Sequence, residues 1–226
     1  MIVNSSPQGE VASLKSVFQS VSAESCPWQY NFHLHTLYSD GQLRPESIVQ
    51  QAIAHGLKGF AITDHHTVAG YQEACRWLEA WTLSHHQDGP ILWSGIEITA
   101  ELLGIEVHIL GYGFDPAHAG IQPYLNGEHP TGTAGRADSV IQGIQQAGGL
   151  AVLAHPVRYR RSPGDLIPAA AELGIDGVEG FYCYGNLDPW SPSLKQMEQV
   201  LQLGNAHNLF QTCGTDTHGL SILKRI

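Results

Sequence analysis

Two imidazoles and a carboxylate open the chemistry of this chain. His33, His35 and Asp40 lie in the run HLHTLYSDG, which ends an apolar entry from Tyr30 to Leu34. On an extended strand, side chains two apart share a face, so His33 and His35 can grip one cation together. Residues of the same kind recur downstream, each just after a short apolar run. Asp64 and His65 follow FAIT, Glu97 closes WSGIE, His155 follows AVLA, and Asp216 and His218 follow FQTCGT. Imidazoles and carboxylates without thiolates suit Mn²⁺, Zn²⁺ or Fe²⁺ rather than a structural zinc knuckle.

Scattered residues meet only if the elements between them bring the run ends to one place. From Tyr30 onward, apolar runs alternate with helix-period segments, the pattern of βα units around a mostly parallel sheet. The runs predict strands near 30–34, 59–63, 91–98, 105–110, 150–154, 177–182 and 209–213, about seven by this pattern. Helices fit between them: Pro45 to His55 with Gly56 as a stop, Ala69 to Ser84, Ala137 to Ala147, Asp165 to Leu173, and Ser193 to His207. The 91–98 and 105–110 runs, parted by a short segment containing Gly104, are also compatible with a hairpin. In that case His108 of EVHIL returns beside Glu97. Parallel barrels and open α/β sheets gather their chemistry at the carboxyl ends of the strands, which is where the candidate residues fall. Gly111 to Gly135, rich in Gly, Pro, His and Asn, reads as a loop or lid. Residues 1–29 read as an N-terminal arm or helix around Ala12 to Val21, and 30–226 as one domain.

Length and charge narrow the function classes. At 226 residues the chain can bury a core without staples. A formal net charge of −10 argues against a broad polyanion-binding face, so any nucleic-acid contact is expected to be local. Cys26, Cys75, Cys183 and Cys213 form neither a CxxC pair nor a disulfide framework, which suits reduced thiols in a cytoplasmic protein. Residues 1–25 hold no basic leader with an apolar core and no membrane span, so no membrane partner is expected. Of the 13 histidines, His55, His85, His86, His118, His129 and His207 sit at helix ends or in polar loops and read as solvated rather than liganding.

The ordered set HLHTLYSDG, AITDHHTVAGY, SGIE, VHILGY, LAHP, GVEGFY and CGTDTHG resembles the PHP (polymerase and histidinol phosphatase) superfamily. Within it, the chain is most similar to stand-alone metal-dependent phosphoesterases, including nucleoside 3',5'-bisphosphate phosphatases. The resemblance runs from Tyr30 to the last residue. It implies a distorted (β/α)7 barrel, TIM-barrel-like, with a trinuclear metal centre. His33, His35, Glu97 and Asp216 would hold the first cation. Glu97, bridging, with His108 and His155 would hold the second, and Asp40, His65 and His218 the third. Two or three divalent ions (Mn, Zn or Fe) per chain are the implied cofactors. Such ions lower the pKa of bound water from about 15.7 towards 7 and offset the charge growing on a phosphoryl group, so the expected chemistry is in-line attack by metal-bound hydroxide on a phosphate monoester. The expected substrate is small and nucleotide-like, a nucleoside 3',5'-bisphosphate or a short RNA, with no obligate protein partner.

Four other residues complete the expected site. Asp64 is read as orienting a liganding imidazole or as a general acid. Arg158, Arg160 and Arg161 follow the AHP turn and could grip phosphate oxygens, with Arg158 foremost. Glu179 of GVEGFY ends a strand and is either a pocket-lining group or a solvated carboxylate. His66 stands where the family more often carries aspartate, and GTDTH replaces the commoner GSDFH. The bisphosphate phosphatases also carry a helical insertion between the VHILGY-type and AHP motifs that is missing here. Two other readings stay open. One is an amidohydrolase, for which the bridging-lysine candidate Lys58 precedes its strand. The other is a non-catalytic, metal-stabilised PHP module. No GxSxG elbow, GxxxxGK[ST] loop or HExxH helix competes.

Overall fold

The computed structural model describes residues 7–226. A leading helix, α1 (Pro7–Ser20), is followed by β1 (Tyr30–Asn31), α2 (Pro45–Ala54), β2 (Gly59–Ala61), α3 (Ala69–His85), β3 (Ile91–Trp93), β4 (Gly95–Leu102) and β5 (Ile105–Tyr112). Then come α4 (Ala137–Gln146), β6 (Leu150–Leu153), α5 (Pro163–Glu172), β7 (Gly177–Phe181), α6 (Leu194–Ala206) and β8 (Phe210–Cys213). All five expected inter-strand helices form. Pro45 at the first turn and Gly56 at φ 70° bound α2, as the sequence suggested. In α5, Ser162 caps by accepting from the Asp165 backbone N–H.

The strands form two sheets. One runs β1-β2-β3, all parallel, and the other runs β4-β5-β6-β7-β8. Only β5 opposes its neighbours, pairing antiparallel with both β4 and β6. The 91–98 run is not one strand but two, giving eight strands among the described residues. It breaks at Ser94, whose carbonyl accepts from Gly113 N–H and whose Oγ donates to the Phe114 carbonyl. Gly95 then passes so close to the Ile62 carbonyl that no Cβ would fit. Among the described residues, no continuous ladder closes the sheets into the expected barrel. They meet through isolated bridges at two seams, Leu34 with Thr217 and His65 with Glu97. Those seams also carry Phe32 N–H to Cys213 O at 3.0 Å, Asp216 N–H to His33 O at 2.9 Å, and Glu97 N–H to Asp64 O at 3.2 Å.

Side-chain alternation along the extended 32–35 segment divides core from site. Phe32 packs with Trp93 and Tyr112, Leu34 with Ile48, Phe60 and Ile62, while His33 and His35 face the other way. The helical arm joins this core: Leu14 and Phe18 are buried, and Phe18 stacks edge-on against Phe32 and Tyr112 with ring centroids 5.0 and 5.6 Å apart. Burying Phe18 and Leu14 contributes about 1.5–3 kcal/mol per side chain, so α1 is part of the fold rather than an appendage. Residues 1–6, the start of the expected 1–29 arm, lie outside the described residues. The expected loop from Gly111 to Gly135 starts later, since β5 extends to Tyr112, and Ile121 and Tyr124 tie it into the core between α4 and β5.

Candidate metal centre

The two seams, with the end of β6, strand β5 and the turn after His35, bring all nine expected metal-ligating side chains to one place. His33, His35, Asp216 and His218 come from the seam beside β1 and β8, and His65 and Glu97 from the seam beside β2 and β4. His155 follows β6. His108 reaches the same rim from within β5 because that strand runs backwards, opposite Thr99. Asp40 comes from the turn after His35. Close approach is enforced locally: a Cβ on Gly214 would collide with the His33 side chain.

Glu97, 1% exposed, is the hub. Its Oε2 lies 3.0 Å from His33 Nε2, 3.1 Å from His35 Nε2 and 3.6 Å from His65 Nε2. Its Oε1 lies 2.8 Å from His108 Nδ1 and 3.2 Å from His155 Nε2. Asp216 Oδ1 shares the inner group, 3.4 Å from His33 Nε2 and 3.2 Å from His35 Nε2. An outer group surrounds Asp40, whose carboxylate is 3.0 Å from His218 Nε2, 3.4 Å from His35 Nδ1 and 3.7 Å from His65 Nε2. Three sets of donor atoms are close enough to hold an ion: His33, His35, Glu97 and Asp216; His65, Glu97 and His108; and His35, Asp40, His65 and His218. The grouping departs from the expected one in that His35 also serves the outer set and His65 the middle one, with His155 reached through Glu97.

The donor set fits cations on this chain's own geometry. His35 Nε2 is buried and makes no hydrogen bond, although two carboxylate oxygens lie near it, so the three atoms surround a point instead of bonding in pairs. Electrostatics agree. Burial opposes charge on His33, but Glu97, Glu179 and Asp216 hold its ring well above the ordinary imidazole range. Burial likewise opposes charge on His35, yet Asp216 and Glu97 bring it to about 9. Glu97 and Asp216, despite burial, are held well below the usual carboxylate range by the surrounding histidines. His65, part-buried and crowded by neighbouring rings, falls to about 4. Raised rings and lowered carboxylates both mark a strongly negative pocket that favours bound positive charge.

The supporting residues are less legible from sequence. Glu179 is fully buried, with Oε1 2.9 Å from His33 Nδ1 and Oε2 accepting the His155 backbone N–H at 2.9 Å. It is not a solvated carboxylate: its bond to Nδ1 fixes the His33 ring with Nε2 towards Glu97. Asp64 does not touch a ring. Thr36 N–H and Oγ1 and Ser39 Oγ donate to it at 2.6, 2.7 and 2.8 Å, and burial raises its pKa despite those donors. It therefore pins the turn that carries His35 and Asp40, in place of the direct bond to a liganding imidazole expected of it. Gly70 must lack a side chain because its Cβ would meet Asp64 Oδ2. His66, with φ 55°, bonds through Nε2 to Thr99 Oγ1 at 3.1 Å.

The arginines separate. Arg158 Nη1 donates to Asp216 Oδ2 at 2.9 Å and to Tyr182 Oη at 3.2 Å, placing it at the edge of the cluster. Arg161 instead donates to the Leu103 carbonyl in the β4-β5 turn, and Arg160 is exposed without joining the cluster. Between them and the cluster stands Tyr159, whose hydroxyl is tied to His108 N–H. Asp216 and His155 are held at φ 55° and 26°, left-handed backbone that costs about 1–3 kcal/mol and persists where surroundings over-determine it.

Buried imidazoles and carboxylates gathered at the sheet seams of this mixed α/β chain form a candidate metal site. The PHP domain model matches residues 31–132, the part of the chain that runs from β1 through the β4-β5 hairpin. It is 36% identical over 90 residues to a 5'-3' exoribonuclease of Haemophilus influenzae, covering 40% of this chain and 30% of that one. It is 32% identical over 87 residues to a 3',5'-nucleoside bisphosphate phosphatase of Chromobacterium violaceum, covering 38% and 28%. The matched segment thus spans about 30% of those relatives' length. A solved structure from Bifidobacterium adolescentis, described as a candidate metal-dependent phosphoesterase, superposes with a TM-score of 0.68 at 26% identity, covering 85% of this chain and 89% of that one. Among the described residues, no helix is long and apolar enough to cross a membrane.

Proposed function

We propose that this chain is a metal-dependent phosphoesterase that hydrolyses a phosphate monoester, with its two sheets acting as one distorted βα barrel. The observation that carries the reading is Glu97, whose two buried oxygens face five imidazoles beside an arginine-bearing Asp216. Glu97, Asp216, His33 and His35 would hold one cation, with His108, His155, His65, His218 and Asp40 serving a second and third. Divalent ions in such a site supply Lewis acidity towards phosphoryl oxygens and make water acidic enough to react at neutral pH.

The chain's own residues do the rest. Glu179 sets the orientation of His33, and Asp64 fixes the turn that presents His35 and Asp40. Arg158, 39% exposed, presents a guanidinium at the mouth, where its fork suits phosphate oxygens better than an amide carbonyl. This favours a phosphate ester over an amidohydrolase substrate. A nucleotide-like substrate, a nucleoside 3',5'-bisphosphate or a short RNA, is supported by the names of the exoribonuclease and bisphosphate phosphatase relatives. Purified protein supplied with Mn²⁺ should release orthophosphate from a nucleoside 3',5'-bisphosphate, and Asp216→Ala should lose both bound metal and turnover. Undiminished turnover in chelator-treated protein would contradict the reading, and Mn²⁺ binding with every phosphate ester untouched would favour the non-catalytic module.

A further inference from the structure

Asp216 divides its two oxygens between two jobs. Oδ1 faces His33, His35 and His218, and Oδ2 faces away from them towards three donors: Arg158 Nη1 at 2.9 Å, Arg225 Nε at 2.9 Å and Tyr182 Oη at 2.6 Å. Two guanidinium groups therefore meet on one buried oxygen in a chain whose acidic residues outnumber its Lys and Arg by 21 to 11. That one oxygen thus receives two guanidinium groups and a phenol, which leaves part of each fork unused. Each fork touches Asp216 through a single nitrogen, and both arginines are part-exposed, 39% for Arg158 and 19% for Arg225, while Asp216 is 2% exposed.

Arg225 is held in place rather than resting there. Its carbonyl accepts the N–H groups of His218 and Gly219 at 2.6 and 3.1 Å. The residues leading to it are fastened to the site's own loop: the Ile222 carbonyl accepts from Asn31 Nδ2 and Thr215 Oγ1, and the Lys224 carbonyl from Thr217 Oγ1. Thr215 and Thr217 flank Asp216, so the segment that carries Arg225 is locked to the turn that carries the proposed metal ligand. Ile222 is completely buried.

We propose that Arg225 is the second arm of a two-arginine clamp, with Arg158, that grips the phosphoryl group of the substrate and selects a dianionic terminal phosphate. The inference rests on the phosphoesterase reading above. The two oxygens of a carboxylate are spaced much like two oxygens of a phosphate. A phosphoryl group seated along the Asp216 edge can therefore turn one oxygen towards the Oδ1 side and another towards the guanidinium groups. Two forks on the outer side favour the doubly charged monoester over a diester, which carries one charge and an extra substituent where the forks approach.

Orthophosphate affinity of the Mn²⁺-loaded protein, measured by calorimetry, tests this, with Mn²⁺ binding followed in parallel by thermal shift. Arg225→Gln should weaken orthophosphate binding about ten- to hundredfold, as expected for losing a charged hydrogen bond, and leave Mn²⁺ binding intact. Arg225→Lys should recover part of that loss, because a point charge remains and the fork does not. Arg161→Gln should change neither quantity. Wild-type protein that binds no orthophosphate would overturn the phosphoesterase reading and the clamp together. Binding retained within about twofold by both Arg225 variants would overturn the clamp alone. Loss of Mn²⁺ by Arg225→Gln alongside orthophosphate would assign Arg225 to holding Asp216 and would also overturn the clamp.

Discussion

The inner and outer halves of the candidate centre use the same residue types in opposite environments. Glu97 is 1% exposed and meets five imidazoles, while Asp40 is 52% exposed and meets three. The inner half sits where two sheets are bridged, and each of its rings is fixed by a strand, a seam or a buried partner such as Glu179. The outer half hangs on the 36–41 turn, pinned from below by Asp64. Buried donors attract a cation through a low dielectric and cannot be satisfied by water, whereas exposed donors can. The inner half should therefore bind its ion tightly and define the centre, and the outer half should exchange its ion readily.

The most disruptive test of that contrast is Glu97→Gln, which keeps the side chain's shape and removes the charge shared by five rings. We expect Mn²⁺-induced stabilisation to vanish and phosphatase activity to fall by about a thousandfold, the upper range for removing one electrostatic stabiliser. Glu179→Gln should come next. It frees the His33 ring and should weaken metal binding about 10- to 100-fold in a Mn²⁺ titration, as for other groups that orient a ligand from behind. Asp40→Asn should be milder, removing one ion per chain by elemental analysis while the inner ion stays. Gly70→Ala acts on the turn's support alone. Its methyl group must displace Asp64, so Tm should drop by an amount corresponding to about 1–3 kcal/mol, with more loss of the outer ion than of the inner one.

Much of this centre is legible in the sequence for a simple reason. Extended backbone repeats every two residues, so HxH puts both rings on one side whether or not a ladder is present. The ladder itself stops at Asn31, and His33 and His35 are carried by seam bridges instead, yet both reach Glu97 Oε2. The chain's parallel runs also announce where the carboxyl ends gather. What cannot be read from residue order is the choice of partner. Asp64 adjoins His65 in sequence but bonds Thr36 and Ser39, because the turn after His35 folds back over it. Arg161 follows the same AHP turn as Arg158 but bonds Leu103 across the surface. Arg225 belongs to no motif, and only the folding of residues 222–225 onto Thr215 and Thr217 brings it to Asp216. Strand closure is similarly tertiary: the apolar 91–98 run reads as one strand until Ser94 bonds the 113–114 segment and splits it.

Anomalous diffraction at the manganese edge, from crystals grown with Mn²⁺, tests the central claim directly. The account predicts peaks about 2.0–2.3 Å from Glu97 carboxylate oxygens and from the nitrogens of His33 and His35, ordinary bond lengths for imidazole and carboxylate ligands, with a weaker peak beside Asp40. Strong peaks only at surface carboxylates, with none within bonding distance of Glu97, would contradict it.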